Sequence, residues 1–369
     1  MKQNDLEYYY IDLPMVKPFV YSEETEVSRK CYIFRLNVDG IIAYSECVTN
    51  DNPFYSYEDN ITALHIISQF LINNFSDLPD PKEFIERIGY IKGHNMAKAT
   101  LEMLLWDYWA KKNEVPLHRL IGGYKEKVDA GISIGMDLPN KMVEEVENGI
   151  KQGYKRIKVK ISKGKEINIL SAIRDAFPDI PLSADANSSY RMSDLDLLKK
   201  IDRYNLLYLE QPLDSDDIIY HSKLKQTIST PICLDESITS IEKIEKAVQI
   251  DALDVLNIKP GRVGGINNSL EIAKIARQNG VHVWIGGMEE TGVGLSYNVS
   301  LATVKYVDYT GDLHPTNRWF EKDIVTNPLK MEKGMMKLQS GTGIGIGLDW
   351  EYFKKIIKSS GKISLMKRG

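Results

Sequence analysis

Cysteine is scarce in this sequence: Cys31, Cys47 and Cys233 are the only three among 369 residues. They show no CxxC spacing and cannot all pair, so neither a disulfide scaffold nor a thiolate metal knuckle is expected. Small buried thiols in a reducing cytoplasm are the natural reading. Histidine is also scarce, six residues with no HxxxH or HxH pair, which argues against zinc. No apolar run approaches the roughly 20 residues of a membrane helix. The opening MKQNDLEYYYIDLP lacks the apolar core of a signal peptide. Positive charge is not in surplus: the formal net charge is -4 and the pI about 6.0. Composition therefore gives no reason to expect nucleic acid or a membrane as partner.

What is present is a globular composition, 43% hydrophobic and 27% charged, at a length that suits about two domains. The first part, residues 1–124, is mixed. RKCYIFRLNV (29–38) and IIAYSEC (41–47) read as strands joined by a tight turn at Asp39-Gly40. Ser56 to Phe75 and Asn95 to Lys112 read as helices.

Between residues 125 and 325 the pattern changes to short β-branched runs alternating with amphipathic helices. Eight runs stand out: 129–135, 156–162, 181–187, 206–212, 231–237, 255–261, 281–287 and 307–312. Apolar strands separated by helices are the signature of a closed parallel barrel. Residues 326–369 leave this pattern and are expected to return to the N-terminal domain. The GTGIGIG run there lacks the strand before and helix after that a dinucleotide loop needs.

Charged residues recur at the C-terminal ends of the runs: Lys160, Asp185, Glu210, Asp235 and Lys259, at steps of 25, 25, 25 and 24 residues. Equivalent strand ends of a barrel meet at one mouth, the catalytic face of this architecture. Three carboxylates converging there would repel one another unless a cation sat among them. Hard oxygen donors suit Mg²⁺ or Mn²⁺. Taken singly, each acid reads more naturally as a cap or a salt-bridge partner; three at equal steps favour a metal site.

Lys158 and Lys160 share one strand face. Lys259 lies about half a barrel away. A lysine acts as a base when its pKa falls toward 7, and neighbouring cations, including Arg262 near Lys259, are expected to push that way. Lys158 is expected to neutralise an acid rather than to react. Asn187 points the same way as Asp185 and is a candidate for the substrate carboxylate. Glu236, on the opposite face from Asp235, is expected to pair with a lysine. Ser133 is placed at the pocket wall, and Gly286, Gly287 and Met288 offer backbone N–H groups. Arg318-Trp319-Phe320 is read as packing.

KVK (158–160), DAN (185–187), EQP (210–212), DES (235–237) and KPGRVGG (259–265) resemble the muconate-lactonising subgroup of the enolase superfamily. SECVTNDNPFYSYEDN (45–60), HNMAKATLEMLLWD (94–107) and GDLHPTNRWFEKDI (311–324) are similar to the o-succinylbenzoate synthase / N-succinylamino acid racemase family. The resemblance implies a (β/α)7β modified TIM barrel under an α+β capping domain built from both chain ends. It implies Mg²⁺ on Asp185, Glu210 and Asp235, with Lys160 and Lys259 on either side of a small-molecule carboxylate substrate. It implies dehydration to o-succinylbenzoate in menaquinone biosynthesis, or racemisation with the two lysines exchanging base and acid roles. By the same analogy a homo-oligomer is expected.

Three segments depart from the family pattern: Ser22 is followed by Glu23 and Glu24, Glu289 stands at an apolar position, and Leu313-His314-Pro315 replaces small residues. The acids leave open an N-acylamino acid or another amino acid derivative, held by a cationic group. A dipeptide epimerase fits less well, because Asp308 and Asp312 are four apart. A non-catalytic barrel would be expected to have lost one of the five charged residues, and none is missing.

Overall fold

The computed structural model describes residues 5–21 and 24–365. The expectations for Glu23, and for the side chain of Glu24, lie outside what it describes. The chain begins with an antiparallel meander, β1 (Asp5–Tyr21), β2 (Glu24–Val38) and β3 (Ile41–Cys47). The β2–β3 turn uses Asp39 and Gly40, both at positive φ (52° and 85°), as a two-residue hairpin requires. Strand β1 has no counterpart among the expected strands. Tyr8 and Tyr10 pack on one hydrophobic cluster and Tyr9 on the other, so both faces are covered and no alternating pattern marks it.

Helices α1 (Asn60–Gln69), α2 (Pro81–Arg87), α3 (Asn95–Lys112) and α4 (Leu117–Leu120) follow. The helix expected from Ser56 begins four residues later, where Asp59 caps it by accepting from the Thr62 N–H. Helix α3 is buried on most sides because it lies between the capping sheet and the barrel.

A short strand β4 (Lys127–Asp129) leads into the barrel. The barrel runs β5 (Gly131–Ile134), α5 (Pro139–Gln152), β6 (Arg156–Lys160), α6 (Glu166–Ala176), β7 (Leu182–Asp185), α7 (Leu195–Ile201) and β8 (Leu209–Glu210). It continues through α8 (Ile219–Lys225), β9 (Ile232–Leu234), α9 (Ile241–Gln249), β10 (Val255–Ile258), α10 (Pro260–Val263), α11 (Ile266–Gln278), β11 (His282–Ile285) and α12 (Gly292–Leu301). Strands β5 to β11 form one parallel sheet in chain order. The eighth expected run, 307–312, is not a strand. Asp308 and Tyr309 donate their N–H groups to the Val283 carbonyl, and Gly311 bridges to Ala130. The segment thus spans the gap between β11 and β5 without a regular ladder.

The tail divides. β12 (Met331–Glu332) pairs with β13 (Met335–Lys337), and β13 pairs with β4, near the start of the barrel. α13 (Trp350–Ile356) then packs Trp350 and Phe353 against Tyr9 of β1, and β14 (Ile357–Ser364) joins the capping sheet by pairing with β1. Among the described residues no helix is long and apolar enough to cross a membrane.

Buried carboxylates tie cap to barrel. Glu102 of α3 accepts from the N–H groups of Ile266 (2.9 Å) and Asn267 (2.8 Å) at the start of α11. Glu46 of β3 accepts from Thr291 (3.0 Å) and Gly294 (3.1 Å) at the start of α12. Neither pair of N–H groups has an intrahelical acceptor, so each carboxylate completes a helix end and suits its partial positive charge. These contacts hold the cap over the barrel mouth.

Candidate active site

Parallel register turns equal sequence steps into equal heights. Lys160 lies opposite Asp185, and Asp185 opposite Glu210. Cys233 lies opposite Glu210, and Asp235 comes two residues later on the same side. Lys259 follows β10 by one residue, at the N-cap of α10. All five are at most 9% exposed.

Each carboxylate is held by a cation. Lys160 Nζ donates to Asp185 Oδ2 at 2.8 Å and to Asn187 Oδ1 at 2.7 Å. Lys158 Nζ lies 3.1 Å from Asp185 Oδ2, 2.9 Å from Glu210 Oε2 and 2.6 Å from Asp312 Oδ2. Asn257 donates to the other Glu210 oxygen at 2.8 Å. Lys259 Nζ is 3.0 Å from Asp235 Oδ2, and Arg262 Nη1 donates to Asp235 Oδ1.

Electrostatics follows from this pairing. Burial alone would raise the Asp185 carboxyl, but Lys160 and Lys158 hold it well below the usual carboxylate range. Glu210 is raised, by burial first and then by Asp185. Burial alone would lower Lys158, yet Asp312, Glu210 and Asp185 push it well up. Burial would also lower Lys259, yet Tyr55 and Glu236 push it up. For Lys259 the direction is opposite to the expected lowering, because the Tyr55 oxygen and the Glu236 carboxylate outweigh the nearby cations, while Lys158 neutralises acids as expected.

Lys158, Lys160 and Lys259 line one cleft of about 550 Å³ with Ser133, Gly287 and Glu289. Phe19, Leu295, His314 and Trp319 form much of the remaining wall. An adjoining cleft of about 320 Å³ shares Lys160, Lys259 and Glu289 and adds Asn187, Tyr55 and Met288.

The donor set suits a hard divalent cation, since Asp185, Glu210 and Asp235 offer only carboxylate oxygens. Among the described residues, Asp235 Oδ2 accepts no hydrogen bond of good geometry, although Lys259 Nζ is near it, and Glu236 Oε2 accepts none. Among the described residues no three His, Cys, Asp or Glu side chains are grouped closely enough to share one ion. The ammoniums and the Arg262 guanidinium hold the carboxylates instead.

Two family models match the chain. Residues 7–122 match the mandelate racemase / muconate lactonizing enzyme N-terminal domain, and residues 141–352 match the enolase C-terminal domain-like family. The chain belongs to the enolase superfamily. Within that superfamily it falls in the o-succinylbenzoate synthase / N-succinylamino acid racemase family. It is 37% identical over 352 residues to an o-succinylbenzoate synthase of Bacillus subtilis (strain 168), covering 95% of each chain. It is 37% identical over 349 residues to an N-succinylamino acid racemase of Thermus thermophilus, covering 94% of this chain and 95% of that one. A crystal structure of an enolase superfamily member from Listeria innocua Clip11262 matches with a TM-score of 0.95 and 36% identity over 99% of each chain. Members of the superfamily typically use Mg²⁺.

The remaining residues singled out from the sequence fall in several places around this superfamily barrel. Ser133 is buried at the cleft wall, and among the described residues its hydroxyl has no hydrogen-bond partner. Asn187 bridges Lys160 to Glu236, donating to Glu236 Oε1 at 2.9 Å. Glu236 thus turns toward the same cluster, because the strand has ended at Leu234 and its face alternation no longer applies. Arg262 braces Asp235, donates to the Tyr55 hydroxyl at 3.3 Å and to the Asn257 carbonyl at 2.7 Å. Of the three offered N–H groups, Gly286 donates to Ile258 and Met288 to Glu290, so those two are engaged within the fold. Met288 instead packs on Val48 and Met96. Trp319 lines the cleft rather than only packing, with its ring 4.7 Å from that of Phe19. Asp308 binds Arg277 and His282, whereas Asp312 binds Arg156 and Lys158, so these acids do not share a site.

Tyr55 and Asp312 were not anticipated as site residues. Lys259 donates to the Tyr55 hydroxyl at 2.9 Å, across 204 residues of chain. No local signal marks Tyr55. The position of Asp312 one unit beyond the last strand could have marked it, had the ring of strand ends been extended.

His314 carries a pH prediction. Burial, and then Arg318, lower its imidazole from 6.5 to about 4. The folded state thus prefers it neutral; the stability this represents is present above pH 6.5 and is lost as pH falls toward 4. The loss should be on the order of 3 kcal/mol across that window. Urea unfolding at pH 7 and pH 5 should show about 2 kcal/mol of it in the wild type and a clearly smaller loss in His314→Phe. An equal loss in both proteins would exclude His314 as its source.

Proposed function

We propose that this protein removes the proton α to a carboxylate of a small substrate, most directly as an o-succinylbenzoate synthase, with N-succinylamino acid racemisation as the second reading. The observation that carries both is the pair Lys160 and Lys259. They line one cleft from strands well separated around the ring, with Asp185, Glu210 and Asp235 between them.

Asp185, Glu210 and Asp235 would hold Mg²⁺ or Mn²⁺. When bound, such an ion supplies the positive charge that offsets an enolate. Lys160 takes the α-proton on one face, with Asn187 orienting its ammonium. In the dehydration the enolate then expels hydroxide, while Lys259 stays protonated and stabilises the ring as a cation beside a π face. In racemisation Lys259 returns a proton to the opposite face; it is the base for the other enantiomer. Lys158 remains an ammonium beside Asp185 and Glu210. Ser133, Asn187, Gly287, Met288 and Glu289 are the proposed substrate contacts, and Glu236 and Arg262 support them. Both reactions draw on the same residues, and the cleft walls decide between them.

The test is incubation with Mg²⁺ in D₂O, with N-succinyl-L-amino acids and separately with the cyclohexadiene precursor of o-succinylbenzoate. Metal-dependent α-proton exchange by NMR, or o-succinylbenzoate absorbance, is expected. Neither signal with the metal bound would remove the substrate assignment.

A further inference from the structure

Glu289 sits between β11 and α12 at a φ of 52° and lines both parts of the cleft. The other acids of the site are engaged. Asp185, Glu210 and Asp235 hold ammoniums, Glu236 accepts from Asn187, and Glu290 accepts from Met288 N–H (2.7 Å) and Asn298 Nδ2 (2.9 Å). Glu289 makes no hydrogen bond or ion pair with any described residue. A half-buried carboxylate with no direct partner is unfavourable, and only the longer-range charges of Lys259 and Arg29 offset this. Burial first, and then the Glu26 carboxylate, raise Glu289 from 4.5 to about 7. Glu26 is itself kept in place by Asn50, which donates to it at 2.9 Å and also lines the adjoining cleft.

The same cleft has a second polar group without a partner among the described residues, the buried Ser133 hydroxyl. The cavity therefore has three distinct parts. Lys158, Lys160 and Lys259 hold the carboxylate cluster, Ser133 offers a neutral hydrogen-bonding group, and Glu289 offers a carboxylate with no direct ion pair among the described residues, in the cleft that Phe19, Leu295 and Trp319 also line. A ligand complementary to all three has a carboxylate, a neutral amide, an aliphatic arm and a terminal cation.

We propose that Glu289 selects N-acylamino acids with a cationic side chain, ammonium or guanidinium, as substrates for α-proton exchange. The inference rests on the racemisation reading above and adds the identity of the side chain. The chemistry is unchanged: the α-C–H bond breaks, one lysine takes the proton, the other returns one, and no co-reactant is consumed.

N-succinyl-L-lysine and N-succinyl-L-norleucine make the test, since they differ only in the terminal ammonium. With the full-length Mg²⁺-loaded protein in D₂O, kcat/KM for exchange should favour the lysine derivative by about ten- to a hundredfold, the worth of a charge-assisted hydrogen bond. Glu289→Gln should bring the ratio to within a few-fold of unity. Because the ratio is taken within each protein, a loss of folded enzyme in the variant cancels. Exchange of both derivatives with norleucine preferred, or an unchanged ratio in Glu289→Gln, would overturn the role of Glu289 and leave proton abstraction standing. No exchange of either derivative would instead overturn racemisation, and this inference with it.

Discussion

Lys160→Ala should lower turnover by about 10³-fold or more, and Lys259→Ala should do the same to racemisation, because each removes a positioned proton-transfer group. Neither change should unfold the protein. Without Lys160, Asp185 keeps Lys158 at 3.1 Å; without Lys259, Asp235 keeps Arg262. NMR exchange rates together with circular dichroism separate loss of chemistry from loss of fold. A two-base site makes a stricter demand: each variant should fail to deprotonate a different enantiomer. Turnover within tenfold of wild type in Lys160→Ala would rule this lysine out as the base.

The second large effect is on stability. Lys158 is 3% exposed and lies within 3.1 Å of oxygens from Asp185, Glu210 and Asp312. Replacing it with Met keeps the volume but removes the shared counter-ion of three buried acids. Breaking a buried ion cluster in this way costs about 3–5 kcal/mol. Urea unfolding should show that loss without added metal. Mg²⁺ should then raise the melting temperature more in Lys158→Met than in the wild type, since a cation held by Asp185 and Glu210 replaces part of the missing charge. A loss below about 1 kcal/mol would mean that the acids do not depend on this ammonium.

Taken alone, the sequence determined the barrel and the ring of charges at its mouth. The reason is geometric: in a parallel sheet of near-identical βα units, a 25-residue step returns the chain to the same height on the next strand. Lys160, Asp185 and Glu210 consequently lie side by side in the ladder. What it could not show was anything set by contacts distant along the chain or by loop backbone. Tyr55 meets Lys259 only because α3 and two buried glutamates dock the cap on the barrel. Strand β1 is hidden because both its faces are covered, and the last barrel position is filled by an irregular segment anchored at Val283 and Ala130. The upward shift of Lys158 and Lys259 depended on which charges came closest, and the acidic oxygens did. Glu289 faces the cleft because its backbone turns through positive φ just after β11 ends, where strand alternation no longer says which way a side chain points.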